Sequence, residues 1–189
     1  SGLESVKGAM SCAVGDYDND ERPDLFVGCI GGSFLFQGKG DGTFVDVTRQ
    51  SGVGGGAVLS RAVLFLDADH DADLDIFVSN GGALDGKTPG ANQLLRNNAD
   101  GSFTNIAQQA GVACAGNVCV LALPGDLDHD RDMDLVVLLA GAPAKIFLND
   151  LSGNFREAAD GIPEIRGDLG GALQDFNGDG EFDVLALVK

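Results

Sequence analysis

A nine-residue acidic motif occurs four times along the chain, and this repetition restricts the fold more than any other feature. The copies begin at Asp16, Asp67, Asp126 and Asp175, so their starts are 51, 59 and 49 residues apart. A period of this length is typical of a chain built from repeated supersecondary units. We therefore expect one structural unit repeated about every fifty residues.

Each copy, here called loops 1 to 4, places oxygen-bearing side chains at positions 1, 3, 5 and 9. Alternate side chains of a tightly curled loop point into one cavity, where they can surround a hard cation, and position 7 is expected to add its backbone carbonyl oxygen. The predicted ligand residues are Asp16, Asp18, Asp20, Arg22 and Asp24 in loop 1; Asp67, Asp69, Asp71, Asp73 and Asp75 in loop 2; Asp126, Asp128, Asp130, Asp132 and Asp134 in loop 3; and Asp175, Asn177, Asp179, Glu181 and Asp183 in loop 4.

The chemistry of these ligands favours calcium. A set made only of oxygens selects Ca²⁺ over Zn²⁺ or Cu²⁺, and Mg²⁺ fits less well because it needs strict octahedral geometry and holds its water. The sequence thus predicts up to four bound Ca²⁺ ions. The alternative is a set of solvated acidic turns without metal, but four copies in matching register favour the metal.

The residues around the loops predict strands rather than the helices of an EF-hand. Position 12, where an EF-hand has Glu, is Val27, Val78, Val137 or Ala186. Short β-branched and aromatic runs precede and follow each loop, which predicts a β-hairpin. Glycine-containing turns, each leading into Phe44, Phe103 or Phe155, predict a second hairpin in each of the first three units.

Four antiparallel strands in each unit describe the blade of a β-propeller, so the predicted fold class is all-β. We expect about 3.5 blades within a single propeller region over residues 1–189, at about 9–47, 57–106 and 118–158, with a partial blade at 170–189. Closed propellers have roughly 4–8 blades. The chain is therefore expected to be a fragment of a larger propeller or, alternatively, to associate with other copies through its open blade edges.

The repeated unit resembles the FG-GAP or VCBS repeat of integrin α-type β-propellers. Residues 94–112 (LLRNNADGSFTNIAQQAGV) and 36–53 are also similar to acidic proteins of the ASPIC/UnbV type. The resemblance implies that the acidic hairpins bind Ca²⁺ and that the propeller serves extracellular adhesion or protein interaction. The family usually has Gly at position 6, but here only loop 4 does, as Gly180. A non-Gly residue at φ > 0 costs about 1 kcal/mol, so we expect weaker binding in loops 1 to 3.

The four cysteines suggest two local disulfides. Cys12 and Cys29 stand on either side of loop 1, and folding this hairpin about Asp20 brings them nearly opposite each other. Cys114 and Cys119 flank a four-residue turn that a second disulfide could close. Two such pairs predict an oxidising, extracellular or cell-surface location for a secreted protein. The alternative is four free thiols buried in apolar strands.

Charge and composition narrow the range of functions. The net charge of -17 argues against a nucleic-acid partner, and no apolar run approaches the length of a membrane span. The two histidines, His70 and His129, both stand at position 4 of an acidic loop, where no nucleophile–His–acid arrangement is evident. We expect a non-enzymatic scaffold that binds a protein or an extracellular-matrix ligand. Alternatives are a structural subunit of a self-associating fibre or matrix, a calcium-dependent carbohydrate-binding module, or a hydrolase that uses paired carboxylates.

Overall fold

The structure, a computed structural model, describes residues 1–54, 58–83, 89–158 and 164–189. In these residues, β-strands form three four-stranded antiparallel sheets and one two-stranded sheet, with the strands of each sheet in chain order. The predicted all-β architecture of propeller-like blades is confirmed. Blade 1 contains β1 (Ala9–Gly15), β2 (Asp24–Cys29), β3 (Gly32–Gly38) and β4 (Phe44–Asp46); blade 2 contains β5 (Val58–Leu66), β6 (Asp75–Ala83), β7 (Gln93–Asn97) and β8 (Phe103–Asn105); blade 3 contains β9 (Cys119–Gly125), β10 (Asp134–Leu139), β11 (Ala142–Asn149) and β12 (Phe155–Glu157); and the partial blade 4 contains β13 (Gly170–Gln174) and β14 (Asp183–Leu187).

Helical structure is minor in the described parts of the chain. The segment after blade 1 forms a single turn, α1 (Thr48–Ser51), which ends at Gly52 in the left-handed conformation. No helix among the described residues has the length and apolar character that crossing a bilayer demands. The predicted start of blade 2, Ala57, lies outside the described residues.

Each acidic loop joins the first two strands of its blade as a hairpin, as predicted. The pair that closes the hairpin is the same in all blades: the residue before position 1 lies opposite position 9. These pairs are Gly15–Asp24, Leu66–Asp75, Gly125–Asp134 and Gln174–Asp183. The four loops are therefore held in an equivalent place in every blade.

Apolar residues fill the space between neighbouring blades. Phe26 and Leu35 of blade 1 pack with Ile76 and Val78 of blade 2. A second cluster joins blades 2 and 3, and a third joins blade 3 to β13 and β14. Because each of these three clusters draws on two blades, stacking contributes to the stability of the repeat. A further cluster lies within blade 1 and the segment before it, around Val27, Cys29 and Phe36.

The cysteines in this structure are all free thiols, so the predicted disulfides are not present. The prediction placed Cys12 nearly opposite Cys29, and this was wrong. Cys12 lies opposite Val27, and a register shift between Ala9 and Ser11 places Cys29 opposite Ala9. Cys12 is also exposed whereas Cys29 is buried. The thiols of Cys114 and Cys119 are close enough to influence each other's pKa, but they are not bonded covalently.

Candidate metal centres

The backbone of each loop curls through two left-handed residues, at positions 4 and 6. Loop 3, for example, has φ = 64° at His129 and 77° at Arg131. The left-handed conformation expected at position 6 is present in all four loops, at Glu21, Ala72, Arg131 and Gly180. The left-handed conformation at position 4 was not predicted from the sequence. Gly178 in loop 4 and Asn19 in loop 1, which both stand at this position, are residue types that tolerate it.

Two carboxylates in each loop accept hydrogen bonds from the loop's own backbone. The Asp at position 1 accepts the N–H of position 6, and the Asp at position 5 accepts the N–H of position 7. The first bond measures 2.8, 3.1, 3.2 and 2.9 Å in loops 1 to 4. The second measures 3.0, 2.9, 3.2 and 2.9 Å. These bonds pin the curled backbone of each loop.

The Asp at position 9 fastens each loop to the rest of its blade. In loops 1 to 3, Asp24, Asp75 and Asp134 are buried. In each, one carboxylate oxygen accepts the N–H of position 2 and the other accepts an N–H at the end of the third strand. For Asp75 these donors are Ala68 at 3.2 Å and Asn97 at 2.8 Å.

The structure brings most of the predicted side-chain ligands into compact groups. Three carboxylates with ligand atoms all within 4.8 Å of one another occur in loop 1 (Asp16, Asp18 and Asp24) and in loop 2 (Asp67, Asp69 and Asp71). Loop 3 has two such groups, one of Asp126, Asp128 and Asp134 and another of Asp128, Asp130 and Asp132. Loop 4 shows no group of three carboxylates in the described residues, and Asn177 replaces one of its acids.

These groups contain buried carboxylate oxygens that no hydrogen-bond donor reaches. They are one oxygen each of Asp18, Asp67, Asp69, Asp126 and Asp132. A buried carboxylate oxygen without a donor is unfavourable, since its hydration is lost and not replaced. An oxygen-liganded cation such as Ca²⁺ in each of loops 1 to 3 would satisfy these five oxygens. The residues of loops 1 to 3 therefore fit the predicted calcium ions, whereas loop 4 shows neither such an oxygen nor a group of three carboxylates among the described residues.

The electrostatics of the loops agree with this fit. Burial raises the pKa of Asp24 to about 6 and that of Asp75 to about 7. Burial, together with the neighbouring carboxyl groups of Asp130 and Asp134, raises the pKa of Asp132 to about 7. In the exposed loop 4, by contrast, the backbone N–H groups of Gly180 and Gly178 lower the pKa of Asp175. Loops 1 to 3 thus hold carboxylates in surroundings that oppose their charge unless a cation is nearby.

The side chain at position 7 behaves differently in each loop. Arg22 pairs with Asp20 of its own loop, 3.2 Å away. Asp73 turns to blade 1, where it accepts a 2.7 Å hydrogen bond from Asn19. Glu181 turns to blade 3 and lies 3.0 Å from His129, which raises the pKa of that histidine. Among the acidic residues at position 7, Asp132 is the one that belongs to a carboxylate group of its own loop in the described residues.

Sequence reasoning missed two asparagines that tie neighbouring blades together. Asn97, at the end of β7, donates to the carbonyl oxygen of Tyr17 in loop 1 at 2.8 Å. Asn149, at the end of β11, donates to the carbonyl oxygen of Ala68 in loop 2 at the same distance. Both carbonyls belong to position 2 of the preceding blade's loop. The signal available in the sequence was the recurrence of Asn two residues before Ala99 and Leu151, at the start of the second and third glycine turns; the first turn has Gly38 there.

Comparison with known proteins gives an independent view of the repeat. Residues 16–78, 82–137 and 126–186 match a family model described as FG-GAP-like repeat. Cartilage acidic protein 1 of Xenopus tropicalis is 31% identical over 199 residues, which cover 97% of this chain and 29% of that protein. The proteins of the same name from Homo sapiens and Mus musculus are each 26% identical over 205 residues, covering 98% of this chain and 29% of each relative. The chain thus spans less than a third of the length of these relatives.

Proposed function

The chain belongs to the FG-GAP-like repeat family, and on this premise we propose that it is a calcium-stabilised, extracellular repeat domain that presents a rigid surface to a protein or matrix ligand. The observation that carries the proposal is the set of five buried carboxylate oxygens without donors in loops 1 to 3. Similarity to proteins named cartilage acidic protein 1 supports a matrix-type setting.

Calcium would act on this domain by removing repulsion within the loops. Ca²⁺ coordinated by the carboxylates at positions 1, 3, 5 and 9 neutralises charges that are otherwise crowded into a few ångströms. Each loop is closed by the first strand pair of its blade, so fixing the loop also fixes the hairpin behind it. The proposed role of the metal is therefore structural and not catalytic.

The same carboxylates explain why we propose no enzymatic activity. Metal ligation and backbone hydrogen bonds account for most of the paired acids, which are then not free for acid–base chemistry. His129 lies against Glu181 of the next loop. A binding role on a rigid scaffold uses these features without requiring any of them to react.

The test is thermal unfolding of the full chain with EDTA and with Ca²⁺. At a tenfold excess over Kd each site adds roughly 1.4 kcal/mol, so four sites add about 5–6 kcal/mol and a large rise in Tm is expected. Asp67→Asn should remove part of this rise, because Asp67 lies inside the loop 2 group. Asp100→Asn, an exposed Asp in a glycine turn, is the matched control and should retain it. A melt that is unaffected by Ca²⁺ would overturn the proposal.

Self-association is a second candidate function, favoured by the apolar surface of blade 4. Leu185 and Leu187 lie on one face of β14 and are 51% and 53% exposed. Sedimentation velocity over a range of concentrations tests this function. We expect the wild type and the control Val14→Ser to associate, and the double variant Leu185→Ser, Leu187→Ser to remain monomeric. That result would support self-association. A monomer at all concentrations would refute it.

A further inference from the structure

Loop 3 differs from the other loops in the direction of its position 7 side chain. The sequence motif assigns this position only a backbone carbonyl as a ligand. In the structure Asp132 is 1% exposed, and its Oδ1 atom is buried without a hydrogen-bond donor. Its other oxygen, Oδ2, accepts the N–H of Leu151 at 3.1 Å, which holds the carboxylate in place.

Asp132 belongs to a second group of ligands beside the main one. Ligand atoms of Asp128, Asp130 and Asp132 lie within 4.8 Å of one another, and so, separately, do those of Asp126, Asp128 and Asp134. Oxygens bound to one Ca²⁺ at 2.3–2.6 Å are at most about 5 Å apart. Each group can therefore enclose one ion, and Asp128 is common to both.

From this geometry, and resting on the calcium-binding function proposed above, we propose that loop 3 binds a second Ca²⁺ through the side chains of Asp128, Asp130 and Asp132. Asp128 bridges the two ions, and the Asp132 carboxylate is a ligand of the second ion alone. Water and neighbouring backbone oxygens complete the shell of the second ion, as they do in weak calcium sites.

Charge also distinguishes loop 3 from its neighbours. It holds five carboxylates, so one Ca²⁺ leaves a formal charge of -3 on this ligand set and a second reduces it to -1. In loop 1 the position 7 residue is itself a cation, Arg22, paired with Asp20. In loop 2 the extra carboxylate, Asp73, is held by Asn19 outside the acidic group. Loop 3 is the one that has an extra buried carboxylate and no cation paired with it in the described residues.

The test counts calcium ions bound to the full chain. Equilibrium dialysis against millimolar Ca²⁺, with the bound metal measured by atomic absorption, is performed on the wild type, Asp132→Asn and Asp73→Asn. The amide oxygen that Asp132→Asn introduces can still accept the Leu151 N–H, so the fold should be retained. If Asp132→Asn does not fold, Asp132→Ser serves as the second variant. Asp73→Asn changes the same loop position in a side chain that faces away from its own acidic group.

We expect Asp132→Asn to bind one Ca²⁺ fewer per chain than the wild type, and Asp73→Asn to bind the wild-type number. If the wild type and both Asp132 variants bound the same number of Ca²⁺ ions per chain, the proposal of a second ion would be overturned, even if Asp132→Asn bound calcium more weakly. That result would leave the proposed calcium function intact. If the wild-type chain bound no calcium, both proposals would fail together.

Discussion

The contact between Asn97 and loop 1 provides a sharp test of how neighbouring blades are held together. Asn97 is buried, and its side chain makes three hydrogen bonds with backbone groups. Its Nδ2 donates to the carbonyl oxygens of Tyr17 at 2.8 Å and Leu74 at 3.2 Å, and its Oδ1 accepts the N–H of Ala99 at 3.0 Å. Asn97→Ala removes all three bonds and the contact between blades.

The expected cost follows from which groups lose a partner. Leaving a buried group without its hydrogen bond costs about 1–3 kcal/mol, whereas groups that water can reach lose less. The Tyr17 carbonyl is buried, and the Leu74 and Ala99 groups are partly buried. We therefore expect Asn97→Ala to lower the free energy of unfolding by about 2–4 kcal/mol. Asn97→Asp should lower it further at pH 7, because a carboxylate would face two carbonyl oxygens.

The adjacent residue supplies a matched control. Asn98 also makes three side-chain hydrogen bonds, with Ser102 and Thr104, but all of them are exposed. Urea unfolding in the presence of Ca²⁺ measures both variants, and Asn98→Ala should cost less than about 1 kcal/mol. If Asn97→Ala and Asn98→Ala destabilised the chain equally, the contact between blades would contribute nothing and our reasoning on burial would be refuted.

Three further predictions concern the loops and thiols. Burial raises the pKa of Asp24 to about 6 and that of Asp75 to about 7, so protonation of these two side chains stabilises the folded state. In EDTA, the stabilisation from these two protonated carboxyl groups is complete below about pH 4 and is lost as the pH rises through about 6–7. We therefore expect Tm in EDTA to fall between about pH 5 and pH 8. A Tm that rose over this range would contradict the raised pKa values. Gly180→Ala should cost about 1 kcal/mol and weaken calcium binding because φ is 91° there, whereas Ala72→Gly, at φ = 70°, should have the opposite effect in urea and calcium titrations. A thiol reagent should modify Cys12 rapidly in the native protein and the three buried cysteines only after unfolding; fewer than four thiols in the denatured protein would reveal a disulfide.

Most of the fold could be predicted because the decisive signals are local and repeated. The acidic loops, the strand-forming runs beside them and the glycine turns before Phe103 and Phe155 are contiguous in the sequence. They determined the hairpins and the four-strand blade without any knowledge of packing. The acidic groups in loops 1 to 3 could be anticipated for the same reason, since carboxylates at alternate positions of a nine-residue hairpin loop lie close together. Their role as calcium ligands remains a prediction.

The features that could not be predicted depend on register and on contacts between blades. The Cys12–Cys29 pair failed because hairpin pairing starts at Gly15–Asp24 and a bulge near Met10 then shifts the strand. Similarly, nothing within loop 3 indicates that Asp132 turns inward while Asp73 turns outward. The outward turn requires Asn19 in the preceding blade, and the inward one requires the Leu151 turn in its own blade.

The charge of the chain links these local features to the conditions under which it folds. The four loops contain 19 of the 29 acidic residues and only two of the 12 basic ones, so the rest of the chain has 10 of each and is formally neutral. Four Ca²⁺ ions would change the net charge from -17 to -9, and a fifth in loop 3 would make it -7. The self-repulsion of the chain is therefore concentrated at the points where a cation can remove it. Three of these loops hold a non-Gly residue at φ > 0 at position 6, and we expect this strain to weaken calcium binding there by about 1 kcal/mol. If the proposed function holds, the domain would be rigid only where calcium is abundant, and its proposed binding surface would depend on the calcium concentration of the medium.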